Sequence, residues 1–320
     1  MNRIGHRWRG SAVVLFYHRV QPDAVAIAGD GPNANLAISE TLFDAHLAYL
    51  TKHYTIVSID DLIKHLQNPL DEFVVAITFD DGYKDNLIYA LPILERYSVP
   101  ATIYITTRFP EGNTWMWWYE IWDDLQKVDV LEISFQSKNW KWKTESHQEK
   151  IRCYRQLENW MINMNHNNQK ILIESITNTS SRKQYPELCL TWDEIKTLDC
   201  HELVTIGAHT HTHPNLRTLN DEEAFFEINH SKNLLKHHLG HDIEHFAYPF
   251  GMANEADKRE FKLVSRLGFR SAVTTRPDPI INPKMNSIPR LGIEHYLSST
   301  DLGSKLSGWE HLGRRIIGNL

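Results

Sequence analysis

Two adjacent carboxylates, Asp80 and Asp81, and two histidines four residues apart, His209 and His213, are the side chains of this 320-residue sequence whose types and spacing point to chemistry. Neutral imidazole is the commonest nitrogen ligand for zinc, and a spacing of four turns both rings the same way if the segment is helical. One carboxylate from elsewhere would complete three protein ligands. Asp80 and Asp81 end an apolar run, residues 73–79, that reads as a buried strand, and Gly82 permits a tight turn directly after them. Two carboxylates so placed repel unless a cation separates their roles. One would bind the ion, and the other would take a proton from a water whose pKa an open zinc site lowers to about 7. Alone, Asp-Asp-Gly is usually a solvated turn and His-Thr-His-Thr-His a polar strand edge. Both at the ends of apolar strands in one chain point to hydrolysis.

At Thr78-Phe79-Asp80-Asp81-Gly82 and His209-Thr210-His211-Thr212-His213 the chain resembles the polysaccharide deacetylases of carbohydrate esterase family 4, metal-dependent enzymes that remove N-acetyl groups from aminosugars. The resemblance implies Asp80 as general base and Asp81, His209 and His213 as ligands of a divalent metal, zinc first among them. It also implies the Tyr83 backbone N–H as an oxyanion donor. Phe246-Ala247-Tyr248-Pro249-Phe250-Gly251 is similar to the segment lining the substrate groove in an exopolysaccharide-type branch, which makes Tyr248 and Pro249 expected substrate contacts. The better-known members carry an arginine near this segment that orients the catalytic aspartate. None lies just upstream of Tyr248, and Arg290 in Ile288-Pro289-Arg290-Leu291 is the substitute. Their late Leu-x-x-His is also missing around His295. Tyr17-His18 instead resembles a circularly rearranged branch whose N-terminal Tyr-His supplies the acid, so His18 takes that role.

Apolar runs at residues 12–17, 54–57, 73–79, 101–105, 203–207, 245–248, 271–274 and 288–291 read as strands. Between them lie helical patterns with start and stop signals: Ser39, Ser58 with Asp61, Thr191 with Glu194, Asn220 with Glu223 closing at Gly240, and residues 255–267 stopping at Gly268. Strands alternating with helices predict parallel pairing, and a distorted (β/α) barrel is both the natural closure and the fold the resemblance implies. Catalytic groups of such barrels gather at the C-terminal strand ends. His18, Asp80, Asp81, His209 and Tyr248 all fall there.

Residues 108–186 break the alternation and read as an insertion over the barrel mouth of a single domain spanning 1–320. Most of its tryptophans read as its own small core, while Trp115 and Trp117, nearest the barrel, are the expected sugar contacts. The tail, residues 302–320, places Leu306, Trp309, Leu312, Ile316 and Ile317 on one helical face, which suits docking on the barrel or peripheral contact with a membrane. A formal charge of -6 offers no basic footprint for nucleic acid. Cys153, Cys189 and Cys200 are an odd number without metal-type spacing and read as reduced thiols, consistent with an expected cytoplasmic location. The expected partner is a carbohydrate bearing N-acetylated aminosugars. A deformylase or other amidase on a lipid-linked aminosugar, or a catalytically silent carbohydrate-binding protein, are the alternatives.

Overall fold

A computed structural model describes residues 10–28, 32, 34–68 and 72–307 of the chain. Its strands are β1 (Ala12–Tyr17), β2 (Arg19–Gln21), β3 (Ala37–Ser39), β4 (Thr55–Ile56), β5 (Val74–Phe79), β6 (Ala101–Ile105), β7 (Val130–Phe135), β8 (Lys138–Lys143), β9 (Val204–Ala208), β10 (His245–Ala247), β11 (Ser271–Val273) and β12 (Leu291–Gly292). Eight of them form one sheet in the order β11-β10-β9-β6-β5-β1-β12, with β4 also on β5. Every pairing within it is parallel. The segment that ends in β12 closes the curl: Leu291 pairs with Leu15 of β1, while Ile288 bridges to Val273 of β11. A distorted (β/α) barrel results, as the alternation predicts.

The period of two along a strand decides which side chains reach the mouth. On β5, Val75, Ile77 and Phe79 join the large core between sheet and helices, whereas Val74 and Ala76 join a smaller cluster with Val14, Tyr104, Ala247 and Ile288. The same parity carries Thr78 and Asp80 inward. On β1 it sends Leu15 and Tyr17 outward, Ala12 and Val14 inward, and so delivers Phe16 and His18 to the site.

That interior tolerates Tyr104 only because Gly207 faces it across the β6–β9 ladder. A Cβ on Gly207 would lie 2.4 Å from the Tyr104 ring. Gly207→Ala is therefore expected to destabilise the fold by about 1–3 kcal/mol through overpacking, read as a lowered thermal midpoint.

The helix signals act as caps. Ser39, Ser58, Thr191 and Asn220 accept from the first turns of the helices they precede, and Gly240 ends Asp221–Leu239 at φ 81°. The helix expected from residue 255 begins later, at Lys258, because Asp257 with Glu260 forms its capping box.

Residues 108–186 carry their own apolar cluster, in which Trp117–Leu125, the antiparallel β7–β8 hairpin, His147–Ile162 and His166–Thr177 pack together. Tyr83 and Cys189, which flank the barrel mouth, belong to this cluster and seat it there. The start of the tail forms the helix Ser299–Leu306, whose Leu302 and Leu306 are buried in the main core. That part docks on the barrel. Trp309, Leu312, Ile316 and Ile317 lie outside the described residues. Among the described residues, no helix is long and apolar enough to cross a membrane.

Candidate active site

Asp80 and Asp81 leave the end of β5 in different directions because the backbone turns left-handed between them, with φ of 75° at Asp81 and 81° at Gly82. Asp81 thus escapes the strand alternation that sends Asp80 into the barrel, and both acids reach the mouth buried, at 2% and 5% exposure.

His209 follows β9 directly. The segment from His209 to His213 is not the helical turn that the spacing of four suggests. It is a loop in which Thr210 and His213 have φ of 62° and 59°. The Thr210 hydroxyl accepts from the His213 N–H at 3.1 Å. Glu227, buried on the helix Asp221–Leu239, accepts from the N–H groups of His211 and Thr212 and from the Thr212 hydroxyl at 3.0, 2.8 and 2.7 Å. A glutamate 16 residues beyond His211 thus holds the loop. Its spacing carries no local signal that could have marked it in the sequence.

The loop brings His209 Nε2 to 3.5 Å and His213 Nε2 to 3.2 Å from Asp81 Oδ1. His209 Nδ1 lies 2.8 Å from the Ala247 carbonyl, which can only accept, so Nδ1 carries a proton. In neutral His209 the lone pair of Nε2 then faces a carboxylate oxygen. That oxygen is buried without a hydrogen-bond partner. Burial would raise the Asp81 carboxyl, but His213 and His209 hold it well below the usual carboxylate range; burial would lower His209, but Asp81 raises it. The cluster demands positive charge, and one carboxylate with two imidazoles and an open side suits a divalent cation such as zinc. Asp60, Glu244 and His245 also converge, but there the Arg270 guanidinium already bonds both acids.

Asp80 stands apart from this triad in a bidentate pair with Arg290, Nη1 to Oδ1 at 2.8 Å and Nη2 to Oδ2 at 2.7 Å. Arg290 is 1% exposed, with Nε donating to the Thr274 carbonyl at 2.9 Å and Nη1 also to Thr78 Oγ1 at 3.1 Å. Burial would raise the Asp80 carboxyl, but Arg290, with His209, more than offsets it and keeps it below its ordinary value. Asp80 is therefore ionised near neutrality. His18 lines the same cavity, with its carbonyl held by Asn86 Nδ2 at 2.9 Å. Burial lowers its imidazole against the opposing pull of Asp81 and Asp80. The next residue, Arg19, points away: it bonds Asp85 at 2.7 Å and the Tyr119 hydroxyl at 2.9 Å, tying barrel to insertion. Burial pushes Asp85 up to about 6 despite that arginine.

A cavity of about 920 Å³ opens over these groups, lined by His18, Asp80, Asp81, His209 and His213 and roofed by the insertion. Three expected substrate contacts need correction. Tyr248 is fully buried, its hydroxyl donating to the Asn286 carbonyl, because residue 248 follows the strand into the core; Pro249 is buried beside it. Phe250, whose φ of 59° turns it outward, lines the cavity and lies 4.9 Å from the His213 ring. Trp115 is buried against His166, with Nε1 bonded to Glu120 at 2.6 Å. Trp117 does line the cavity, joined by Trp118, whose ring is 5.8 Å from His213. The Tyr83 ring is buried under the Arg19 guanidinium and takes no part in the lining, leaving only its backbone beside Asp81.

The family model for polysaccharide deacetylase matches residues 67–171 and 166–272, which together cover well over half of the chain. The chain belongs to the polysaccharide deacetylase family. Solved structures of similar fold cover nearly all of this family member. A Streptococcus pyogenes deacetylase, PplD, solved in complex with acetate, superposes with a TM-score of 0.60 at 20% identity over 92% of this chain and 97% of its own. IcaB from Ammonifex degensii gives 0.59 at 16% identity, covering 93% and 97%. A de-N-acetylase from Aggregatibacter actinomycetemcomitans gives 0.57 at 15%, covering 92% and 99%. At such identities the likeness is one of fold. No curated protein sequence matched this deacetylase-family chain.

Proposed function

We propose that the protein is a metal-dependent N-deacetylase that hydrolyses the acetamide of an N-acetylated aminosugar in an oligosaccharide, polysaccharide or lipid-linked glycan. The observation that carries this reading is the division of labour between neighbours. Asp81 sits with two imidazoles, while Asp80 is held by Arg290 and left out of the triad. A divalent ion, zinc being the best match to the donors, would polarise the amide carbonyl and acidify water there.

The chain's own groups supply the rest. Asp80, ionised and aimed by two guanidinium bonds, takes the proton of the attacking water. The Tyr83 N–H, just after the Asp81–Gly82 turn, donates to the oxyanion that develops on the carbonyl oxygen. His18 delivers a proton to the departing nitrogen, without which the C–N bond breaks poorly. Burial lowers its pKa and leaves it neutral at rest, so the proton it delivers is the one Asp80 removed from the water, taken up as negative charge growing beside it favours the imidazolium. The products are acetate and a free amine.

Incubating the zinc-loaded protein with N-acetylated oligosaccharides and lipid-linked aminosugars, with mass spectrometry of the liberated acid, tests the reading. Acetate is expected. Formate instead would make it a deformylase, and no acid from any substrate would leave a binding protein. His18→Ala is expected to cut amide turnover about 10²- to 10⁴-fold while an activated ester, whose leaving group needs little protonation, loses far less. Equal losses on both substrates would remove His18 from the acid role.

A further inference from the structure

One buried ion pair beside the site has no part in the chemistry proposed above. Arg19 Nε donates to Asp85 Oδ2 at 2.7 Å, and the two side chains are 12% and 6% exposed. A pair so buried gains little stability over apolar side chains of equal volume, so what it connects is the informative feature. It connects the acid to the roof of the cavity.

His18 sits at a break in the barrel sheet. β1 pairs with β5 only as far as Tyr17 opposite Phe79, and Arg19, which opens β2, pairs with Ala37 in a separate two-stranded sheet. Proton-carrying histidines are commonly aimed by a hydrogen bond to the second ring nitrogen. Among the described residues none bonds the His18 ring, which meets Phe16 edge-on at 5.7 Å. Its backbone must aim it. Beyond Tyr17 that backbone is held by Asn86, fully buried, whose Nδ2 donates to the His18 carbonyl at 2.9 Å and to Asp85 Oδ1 at 3.2 Å. Asp85 grips residue 19 with its other oxygen. Two neighbours that follow the turn of Asp80 and Asp81 thus hold the chain just after the imidazole.

The same guanidinium reaches the roof. Arg19 Nη1 donates to the Tyr119 hydroxyl at 2.9 Å, and Tyr119 belongs to the helix Trp117–Leu125, whose Trp117, Trp118 and Trp122 line the cavity. Only a planar fork serves both partners at once; a lysine would offer a point charge. We infer that Arg19 and Asp85 are positioning residues for proton delivery, forming with Asn86 and Tyr119 a strut that fixes the His18 backbone and seats the roof helix on it. The strut's role rests on the deacetylase reading with His18 as the acid. None of its four residues lines the cavity, and none belongs to the triad of Asp81, His209 and His213. Its loss should therefore appear in the step that needs a proton and not in metal binding. A group misplaced by about 1 Å can cost about 10²-fold in rate.

The test uses the full chain loaded with zinc. Arg19→Lys keeps a charge for Asp85 but loses the fork. It is expected to lower acetate release from an N-acetylated amide at least about tenfold and hydrolysis of an activated ester less than about threefold, with zinc affinity unchanged by calorimetry. In a His18→Ala background the same substitution should cost nothing further on the amide. Tyr119→Phe, which removes a single oxygen and spares the fold, should show the same split with a smaller loss. Hydrogen–deuterium exchange reads the strut without turnover: both variants should raise uptake in residues 17–21 and in Trp117–Leu125 together, and leave Asp221–Leu239 unchanged. Arg96→Lys, the same change at an exposed pair with Asp44, should alter neither readout. Equal losses on amide and ester, or a full further loss in the His18→Ala background, would make the pair merely structural and overturn the inference. So would unchanged turnover and exchange in both variants. Exchange that rises in both segments of a protein releasing no acetate would keep the coupling of roof to His18 and sink the deacetylase reading. Acetate release with no split between amide and ester in Arg19→Lys would do the reverse.

Discussion

Asp80→Asn is expected to lower kcat about 10³-fold in zinc-loaded protein while zinc affinity stays within a few-fold of the unaltered value. The size of the drop is that of a lost general base, for which removal typically costs about 10²- to 10⁴-fold. Retention of the ion follows from geometry, since both carboxylate oxygens of Asp80 are taken by Arg290, and the triad of Asp81, His209 and His213 forms without it. Asp81→Asn should behave in the opposite way and lose the ion first. Calorimetric zinc titration of both variants, with single-turnover kinetics on an acetylated substrate, reads the two effects separately. Near-normal turnover by loaded Asp80→Asn protein would mean that another group takes the proton, and weakened zinc binding would place Asp80 inside the coordination sphere.

Which parts of this site were legible in the sequence follows from the range of the interactions that make them. Strand parity and the glycine turn are local, so the run before Asp80 and Gly82 after Asp81 announce an acid pair at a strand end. Caps are local too, and Ser39, Ser58, Thr191 and Asn220 begin the helices they precede. The His209–His213 loop is different. The two residues between its left-handed positions, His211 and Thr212, are held by Glu227, whose contribution depends on how a whole helix packs, and the spacing of four wrongly suggests a helical turn. The tryptophans fail for another reason. In Trp117–Leu125 the buried residues are Trp117, Trp118, Glu120, Ile121, Trp122 and Leu125, which surround the helix rather than mark one face, so periodicity cannot separate cavity wall from core. Tyr248 and Phe250 differ by two residues, yet the positive φ at Phe250 reverses which of them reaches the cavity.

Arg290→Met should produce the largest loss of stability of any single change at the site. Asp80 and Arg290 are 210 residues apart, and their side chains are 3% and 0% exposed, so the pair exists only in the folded chain. Removing one partner of a buried pair leaves the other charge uncompensated, at about 3–5 kcal/mol. The pH dependence fixes the sign. In the intact protein the Asp80 pKa is depressed, so its contribution is present above the unfolded carboxylate value of about 3.9 and fades as pH falls through the folded value. Without Arg290, burial dominates and raises that pKa, so ionised Asp80 opposes folding near neutrality and ceases to do so once protonated. The stability gap between the two proteins should thus be widest near pH 7 and narrow in acid, and the acidic limb of kcat/KM should move to higher pH. Denaturant titrations across pH, repeated in an Asp80→Asn background, isolate the charge pair as a coupling energy. If Arg290→Met costs the same whether or not residue 80 is charged, the arginine acts through its bonds to Thr274 and Thr78 alone, and its role in holding Asp80 ionised is lost.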